Sequence, residues 1–276
     1  MVLSMSTHNI IDSRTQRNLQ SLDLSRGLAR GRFQDVDFLV KMRPQNLIET
    51  SVFVNQMWEP HIAELIASYL TAPGNIVIDV GANIGASSIP LARKFPDTEF
   101  YLFEPHPDIF SDLSENVMLN RCRNVNISQN AVSNVNGKVP FFAQQNNNSN
   151  MGLSSLKMNS DLGDFAVIDV GSIRIDDYFG CEFRDIAIIK IDTQGAELDV
   201  LNSASNIIYR HRPIIIFEFE SEYFEQTAEV DLVKSALLLF FKERSYKLYC
   251  IQREVRFLPV CTLEGYFNGD VLAVPC

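Results

Sequence analysis

Asp79-Val80-Gly81-Ala82-Asn83-Ile84-Gly85 is the segment of this sequence whose residue types and spacing point most directly to chemistry. It follows an apolar, β-branched run, Ile76 to Val80, that reads as a buried central strand. Its two glycines let the backbone turn sharply and approach a bound molecule closely. In a doubly wound sheet a cofactor sits at this place, outside the carboxyl end of a strand. The spacing is Gly-x-x-x-Gly, whereas the dinucleotide fingerprint Gly-x-Gly-x-x-Gly packs a pyrophosphate on a helix N-terminus. With Asp79 ahead of the first glycine, the loop suits a cofactor that presents an ammonium and a sulfonium in place of a diphosphate. Glu104 ends the next strand, where a carboxylate accepts hydrogen bonds from both ribose hydroxyls. The interval from Asp79 to Glu104 is common to both cofactor classes, so the glycine pattern is what argues against an NAD-dependent oxidoreductase.

The elements that must position these residues alternate regularly. Trp58 to Leu70 carries apolar residues at three- and four-residue spacing and reads as an amphipathic helix ended by Ala72-Pro73-Gly74. The strand at Ile76 to Val80 is followed by a helix from Gly85 to Phe95, a strand from Thr98 to Glu104, a helix from Asp108 to Asn120 and a strand from Val125 to Val132. Between 133 and 183 the alternation breaks into a hairpin at Lys138 to Phe142, a polar tract from Gln144 to Asn150 and a strand from Phe165 to Val170. We read this stretch as an insertion over the active face, its polar tract either a lid or a surface loop. The alternation resumes with a strand at Ile186 to Asp192, a helix from Ala196 to Tyr209, a strand at Pro213 to Glu220, a helix from Glu229 to Arg244, and strands at Tyr246 to Ile251 and Asp270 to Val274. The expected fold is α/β, a Rossmann-like, doubly wound, mostly parallel sheet with an N-terminal extension and an insertion after the third strand. Residues 1–50, polar and without clean periodicity, are expected to form a partly helical extension, and residues 51–276 the cofactor-binding domain.

The chain has 276 residues, 46% of them hydrophobic, enough for one large core. Lys and Arg number 24 against 34 Asp and Glu, a net charge of −10 and the wrong sign for a surface that neutralises phosphates, so nucleic acid is not the expected substrate. Cys122, Cys181, Cys250, Cys261 and Cys276 are scattered and odd in number, without a Cys-x-x-Cys pair, and suggest neither a disulfide framework nor a zinc site. No apolar signal-peptide region and no membrane-spanning run occurs, which makes a cytoplasmic location the expectation.

Six segments in order make the sequence resemble the FkbM methyltransferase family: Asp79 to Gly85, Phe103-Glu104-Pro105, Asn130 to Ser133, Ile175-Asp176-Asp177, Lys190-Ile191-Asp192-Thr193-Gln194-Gly195-Ala196-Glu197, and Arg212-Pro213 through Phe217-Glu218. The resemblance covers roughly residues 50 to 225. It implies a class I methyltransferase fold, S-adenosyl-L-methionine as methyl donor, and O-methylation of a sugar, glycan, glycolipid or natural product. Carried over by position, it places Asp79, Gly81, Asn83 and Gly85 along the methionine end of the cofactor, Glu104 at the ribose and Ala131 near the adenine. The alternatives are a non-catalytic S-adenosylmethionine-binding scaffold, against which the presence of Asp192 and Glu218 counts, and the oxidoreductase already set aside. No Asn/Asp-Pro-Pro-aromatic segment of the nucleic-acid amino-methyltransferases follows the fourth strand.

Methyl transfer from a sulfonium to a hydroxyl needs the acceptor oxygen held in line, and a base that takes its proton. Asp192, on the same rim as Asp79 and Glu104, is the first choice for that base or for positioning; the other reading is a cap of the following helix. Glu197, in the first turn of that helix, suits the macrodipole without a catalytic role. Glu218 and Glu220 share one face at a strand's carboxyl end, which makes Glu218 a candidate substrate contact. His106 is expected to be a solvated turn residue, and His8, His61 and His211 have no evident partners. No ligand spacing calls for a metal.

Overall fold

The computed structural model describes residues 22–23, 27–42, 47–144, 154–156, 165–224, 227–252, 256–259 and 269–276. Its strands in chain order are β1 (Leu22–Asp23), β2 (Leu28–Phe33), β3 (Val36–Lys41), β4 (Ile76–Val80), β5 (Glu99–Phe103), β6 (Val125–Ser128), β7 (Asn130–Val132), β8 (Gly137–Gln144), β9 (Phe165–Ile173), β10 (Ile186–Ile191), β11 (Ile214–Phe219), β12 (Tyr246–Gln252), β13 (Arg256–Pro259) and β14 (Gly269–Pro275). The main sheet has the order β13-β12-β14-β11-β10-β4-β5-β6. From β11 to β6 neighbouring strands are parallel, and β14, β12 and β13 close the other side antiparallel. This is the Rossmann-like, doubly wound sheet of the class I methyltransferase type.

Alternation along the buried central strands divides the core in two. Ile76, Ile78 and Val80 join a cluster with Val200, Leu201, Ile207, Leu237 and Phe241 of the helices Glu197–Ser203, Ser205–His211 and Thr227–Glu243. Val77, one residue out of phase, packs with Ile62, Leu65, Leu91 and Leu113 of the helices Pro60–Tyr69, Ser88–Lys94 and Pro107–Leu119. Each such aliphatic side chain contributes about 1.5–3 kcal/mol on burial. Asp79 and Lys190 are register partners on neighbouring strands, so two charged side chains meet inside an otherwise apolar layer.

Three details of the sheets and helices depart from the pattern read in the sequence. The stretch 125–132 is two strands: β6 ends the main sheet, and β7 leaves it to pair with β9 in a separate sheet of order β7-β9-β8. Asn130 drives the exit, since its side chain donates to Ser128 Oγ at 3.0 Å and lies against Gly171, where a Cβ would come within 2.2 Å of its Oδ1. β8 pairs with β9 across a long excursion and makes no tight hairpin; within that excursion residues 145–150 of the polar tract lie outside the described residues. The helix expected over Ala196 to Tyr209 is broken at Ala204, because Asp176 accepts from the backbone N–H of Asn206 and Ile207 and thereby caps a new helix.

The N-terminal extension, expected to be partly helical, is an antiparallel β2-β3 hairpin over 28–41 followed by the helix Leu47–Asn55. The buried positions of β2 are Ala29, Gly31 and Phe33, too weakly apolar to show a period of two. Gly31 is required there by the Phe38 ring, which a Cβ would meet at 2.2 Å. Asn116 of the helix Pro107–Leu119 and Asn120, its C-cap, accept from the Lys41 and Leu39 N–H groups, both at 2.8 Å, and tie the hairpin down. Among the described residues no helix is long and apolar enough to cross a membrane.

Two glycines with the same dihedral isolate one contact of the site. Gly74 and Gly81 both have φ of 79°, but a Cβ meets nothing within 4 Å at Gly74 and would lie 1.8 Å from the Asp192 carbonyl oxygen at Gly81. Gly74→Ala should cost only the left-handed backbone term of about 1–2 kcal/mol. Gly81→Ala should cost at least twice that and displace the chain at Asp192. Paired melting curves test this, and equal losses would show that the contact is not tight.

Candidate functional site

The carboxyl ends of β4, β5, β10 and β11 open into one cavity. Gly81, Ala82 and Asn83 line it after β4, Glu104 and Pro105 after β5, Asp192, Thr193 and Gln194 after β10, and Glu218 and Tyr223 at and beyond the end of β11. The separate sheet adds Asn130, Ala131, Val132 and Phe141, and the segment ahead of β4 adds Ile48, Trp58 and Glu59. Three non-glycine residues in the left-handed region lie on this wall: Glu59 (φ 43°), Asn83 (φ 52°) and Gln194 (φ 56°). Such strain collects where a site demands it.

At one end Gly81 and Ala82 donate their N–H groups to the Phe103 carbonyl at 3.0 Å, and Asn83 donates its N–H to Glu104 Oε2 at 3.1 Å. Glu104 Oε1 accepts from the His106 N–H at 2.8 Å. Two lone-pair positions of the carboxylate are thereby filled, leaving about two for donors that arrive through the cavity. Burial pushes the Glu104 carboxyl up to about 7, against the pull of those two backbone bonds. Ala131 is buried on the same wall. His106, expected to be solvated, is 5% exposed, and its Nδ1 accepts from the Asp108 N–H at 3.2 Å, capping the helix Pro107–Leu119.

Asp79 and Gly85, expected along the methionine end of the cofactor, are not among the residues that line the cavity. Asp79 is 1% exposed; its Oδ2 accepts from Ser88 Oγ at 2.6 Å and its Oδ1 lies 3.6 Å from Lys190 Nζ. Both of its carboxylate oxygens are thereby engaged by protein groups. Gly85 packs against Ile89 and Leu113, where a Cβ would come within 2.8 Å of each.

At the other end Lys190 Nζ lies 3.4 Å from Asp192 Oδ2. Burial works against the Lys190 charge, but the carboxylates of Asp79, Asp192, Glu59 and Glu218 hold its pKa above the ordinary lysine value. Gln194 Nε2 donates to Asp192 Oδ1 at 2.9 Å and to Glu218 Oε2 at 3.3 Å, so one amide sets the two carboxyl groups side by side. Glu218 is pushed up to about 9, first by burial and then by Asp192, Asp270 and Glu59. The Tyr223 hydroxyl is raised by burial and by Glu218. Ser155, bridged to the backbone of Phe142, donates to the Gln194 carbonyl at 2.7 Å and fixes this loop from above the separate sheet.

The helix-cap reading of Asp192 does not hold: the helix starts at Glu197, Ala196 is its N-cap, and Asp192 bonds Gln194 and Lys190 instead. Glu197 is structural, as expected. Its Oε1 accepts from Thr193 N, Thr193 Oγ1 and Gly195 N, and burial raises it to about 7. His61, without an evident partner in the sequence, lies 3.2 Å from Asp270. The sequence assigned no role to Trp58, Glu59, Lys190, Gln194 or Tyr223. Lys190 and Gln194 stand inside the most distinctive motif, and Trp58-Glu59 immediately precedes a proline that starts a helix, which were the available signals.

Comparison with known proteins bears on the family of the chain. The model of the methyltransferase FkbM domain matches residues 79–248. Methyltransferase 1 of Beauveria bassiana is 25% identical over 142 residues, 46% of this chain and 57% of that protein. The 2-O-methyltransferase NoeI of Sinorhizobium fredii is 25% identical over 172 residues, 58% of this chain and 70% of that protein. The solved methyltransferase FkbM of Methylobacillus flagellatus KT superposes on 79% of this chain and 47% of its own length, with TM-score 0.47 and 17% identity. The match therefore spans only about half of the first of these relatives and of the solved chain.

Because Glu104 is raised to about 7 and keeps lone pairs open to the cavity, hydroxyl donors arriving there would favour its ionised form and release a proton. S-adenosylhomocysteine is expected to bind more tightly at pH 8 than at pH 6, by roughly two- to tenfold, and Glu104→Ala to weaken it by about 1.5–3 kcal/mol. Calorimetry at both pH values checks this; affinity that is flat or falls with pH would remove Glu104 from the contact.

Proposed function

We propose that this chain, which belongs to the FkbM methyltransferase family, transfers the methyl group of S-adenosyl-L-methionine to a hydroxyl of a small-molecule, glycan or glycolipid acceptor. The observation that carries this reading is a single cavity running from the Glu104 carboxyl, past the Gly81–Asn83 backbone, to the paired Asp192 and Glu218 carboxyls. The donor set fits the cofactor: Glu104 has lone pairs left for ribose hydroxyls, and Gly81 brings bare backbone to the cavity where a Cβ would strike Asp192. Ala131 offers a small apolar surface to the adenine. The bound cofactor supplies an electrophilic sulfonium methyl.

The remaining work falls to the protein. Asp192 takes the hydroxyl proton as the oxygen accepts the methyl, a contribution of roughly 10² to 10⁴ in rate. Lys190 and Gln194 hold its two oxygens in place. Glu218, raised to about 9, is protonated at neutral pH and donates a hydrogen bond to the acceptor. Asp192 and Glu218, set side by side by the Gln194 amide, divide base and donor roles between them. NoeI bears the name of a 2-O-methyltransferase, which supports oxygen as the atom methylated. The excess of acid over base in the chain supports an acceptor other than nucleic acid.

Incubation of the full chain with isotopically labelled S-adenosylmethionine and extracted glycans, glycolipids and hydroxylated metabolites, read by mass spectrometry, tests the reaction. A labelled methyl ether is the expected product, and label on nitrogen or nowhere would contradict it. With that product as readout, Asp192→Asn should lower turnover by roughly 10² or more while cofactor affinity stays within about threefold. Turnover near the parental value would take Asp192 out of the reaction.

A further inference from the structure

The cofactor has an α-ammonium that no residue discussed so far receives. Asp79, the acid of the glycine loop, is off the cavity wall and engaged by Ser88 and Lys190. Glu104 belongs to the opposite end, held by Asn83 and His106. Asp192 and Glu218 share the Gln194 amide at the acceptor end. One carboxylate on the wall is left. We infer that Glu59, from a segment that precedes the family-matched region, is the partner of the cofactor's α-ammonium. This rests on the S-adenosylmethionine reading above.

Position and unused bonding capacity both support the assignment. Glu59 lines the cavity with Gly81 and Asn83, and its Oε2 lies 3.4 Å from Oγ of Ser87, at the start of the helix that follows the glycine loop. Among the described residues that long contact is the only hydrogen bond of its carboxylate. A partly buried carboxylate with several lone pairs unfilled has room for a donor that arrives through the cavity, and an ammonium brings three. Its placement is over-determined. Pro60 begins the helix Pro60–Tyr69, the Glu59 carbonyl accepts from Ile62 N and Ala63 N at 3.1 and 3.2 Å, and the backbone is held left-handed at φ 43°. The His61–Asp270 contact at 3.2 Å fastens the same helix to β14. Burial, followed by the opposing influence of Lys190 and the repulsion of Asp192 and Asp270, sets the Glu59 carboxyl at about 7, so an arriving cation would draw it to the ionised form.

The test is calorimetric and needs no acceptor. S-adenosylhomocysteine carries the ammonium; 5′-methylthioadenosine shares its adenosine and thioether but lacks the amino-acid tail. Glu59→Gln should weaken S-adenosylhomocysteine about tenfold or more, the scale of a charge-assisted hydrogen bond, while 5′-methylthioadenosine stays within about twofold. Glu59→Asp, which keeps the charge on a shorter arm, should fall between parent and Glu59→Gln for the first ligand only. Unchanged S-adenosylhomocysteine affinity in Glu59→Gln would overturn the inference, and so would an equal loss for both ligands, the mark of a general structural effect. Failure of the parent to bind either ligand would instead overturn the cofactor reading, and the inference with it.

Discussion

The ammonium of Lys190 lies buried between Asp79 and Asp192, 3.6 Å from one carboxylate and 3.4 Å from the other, at the carboxyl end of two adjacent parallel strands. A charge in such a place is tolerable only when paired, and removing one partner of a buried pair typically costs about 3–5 kcal/mol. The arrangement ties the glycine loop after β4 to the Asp192–Gln194 loop after β10. The same two loops touch through the Gly81 backbone and the Asp192 carbonyl, and through the Asp192 N–H that donates to the Val80 carbonyl at 2.9 Å. The glycine loop and the Asp192 carboxylate are thus one connected unit, and Gln194 extends it to Glu218 on β11.

Stability is spent to keep this end of the sheet acidic. The carboxyls of Glu59, Glu104 and Glu197 are raised to about 7 and that of Glu218 to about 9, each chiefly by burial. A carboxyl whose folded pKa lies above its unfolded value of 4.5 binds its proton more tightly in the folded state. Its contribution is fully present below that value and is lost as the pH rises toward the folded pKa. Stability therefore falls as the pH rises from about 4.5 to 7 through three of these groups and to about 9 through Glu218, and stays lowered above those values. Bound donors and a cation relieve this, since they favour the ionised forms. Strained backbone at Glu59, Asn83 and Gln194 adds a cost of order 1–3 kcal/mol each at the same wall.

The main sheet was legible in the sequence because its strands are continuous β-branched runs such as Ile76 to Val80 and Ile186 to Ile191, bounded by glycine, proline and acidic residues. Gly81, Asn83, Glu104, Ala131, Asp192 and Glu218, named from motif position, all stand on the one cavity wall. Asp79 and Gly85 belong to the same motif yet are not on that wall, Asp79 bonded to Ser88 and facing Lys190, Gly85 set against Ile89 and Leu113; motif spacing does not report which residues face the cavity. His106 was misjudged because its bond to the Asp108 N–H is a capping role that a flanking proline conceals. The break at Ala204 depends on Asp176, distant in sequence, and Glu59 acquires its place from the fold of helices ahead of β4. Long-range contacts of this kind leave no local periodicity to read.

A crystal structure of the full chain with S-adenosylhomocysteine tests the account most directly. The account predicts the ribose hydroxyls on Glu104, the adenine beside Ala131, and the sulfur on the Asp192 side of the Gly81 turn. Density for the ligand outside this cavity, or a ribose turned away from Glu104, would contradict it.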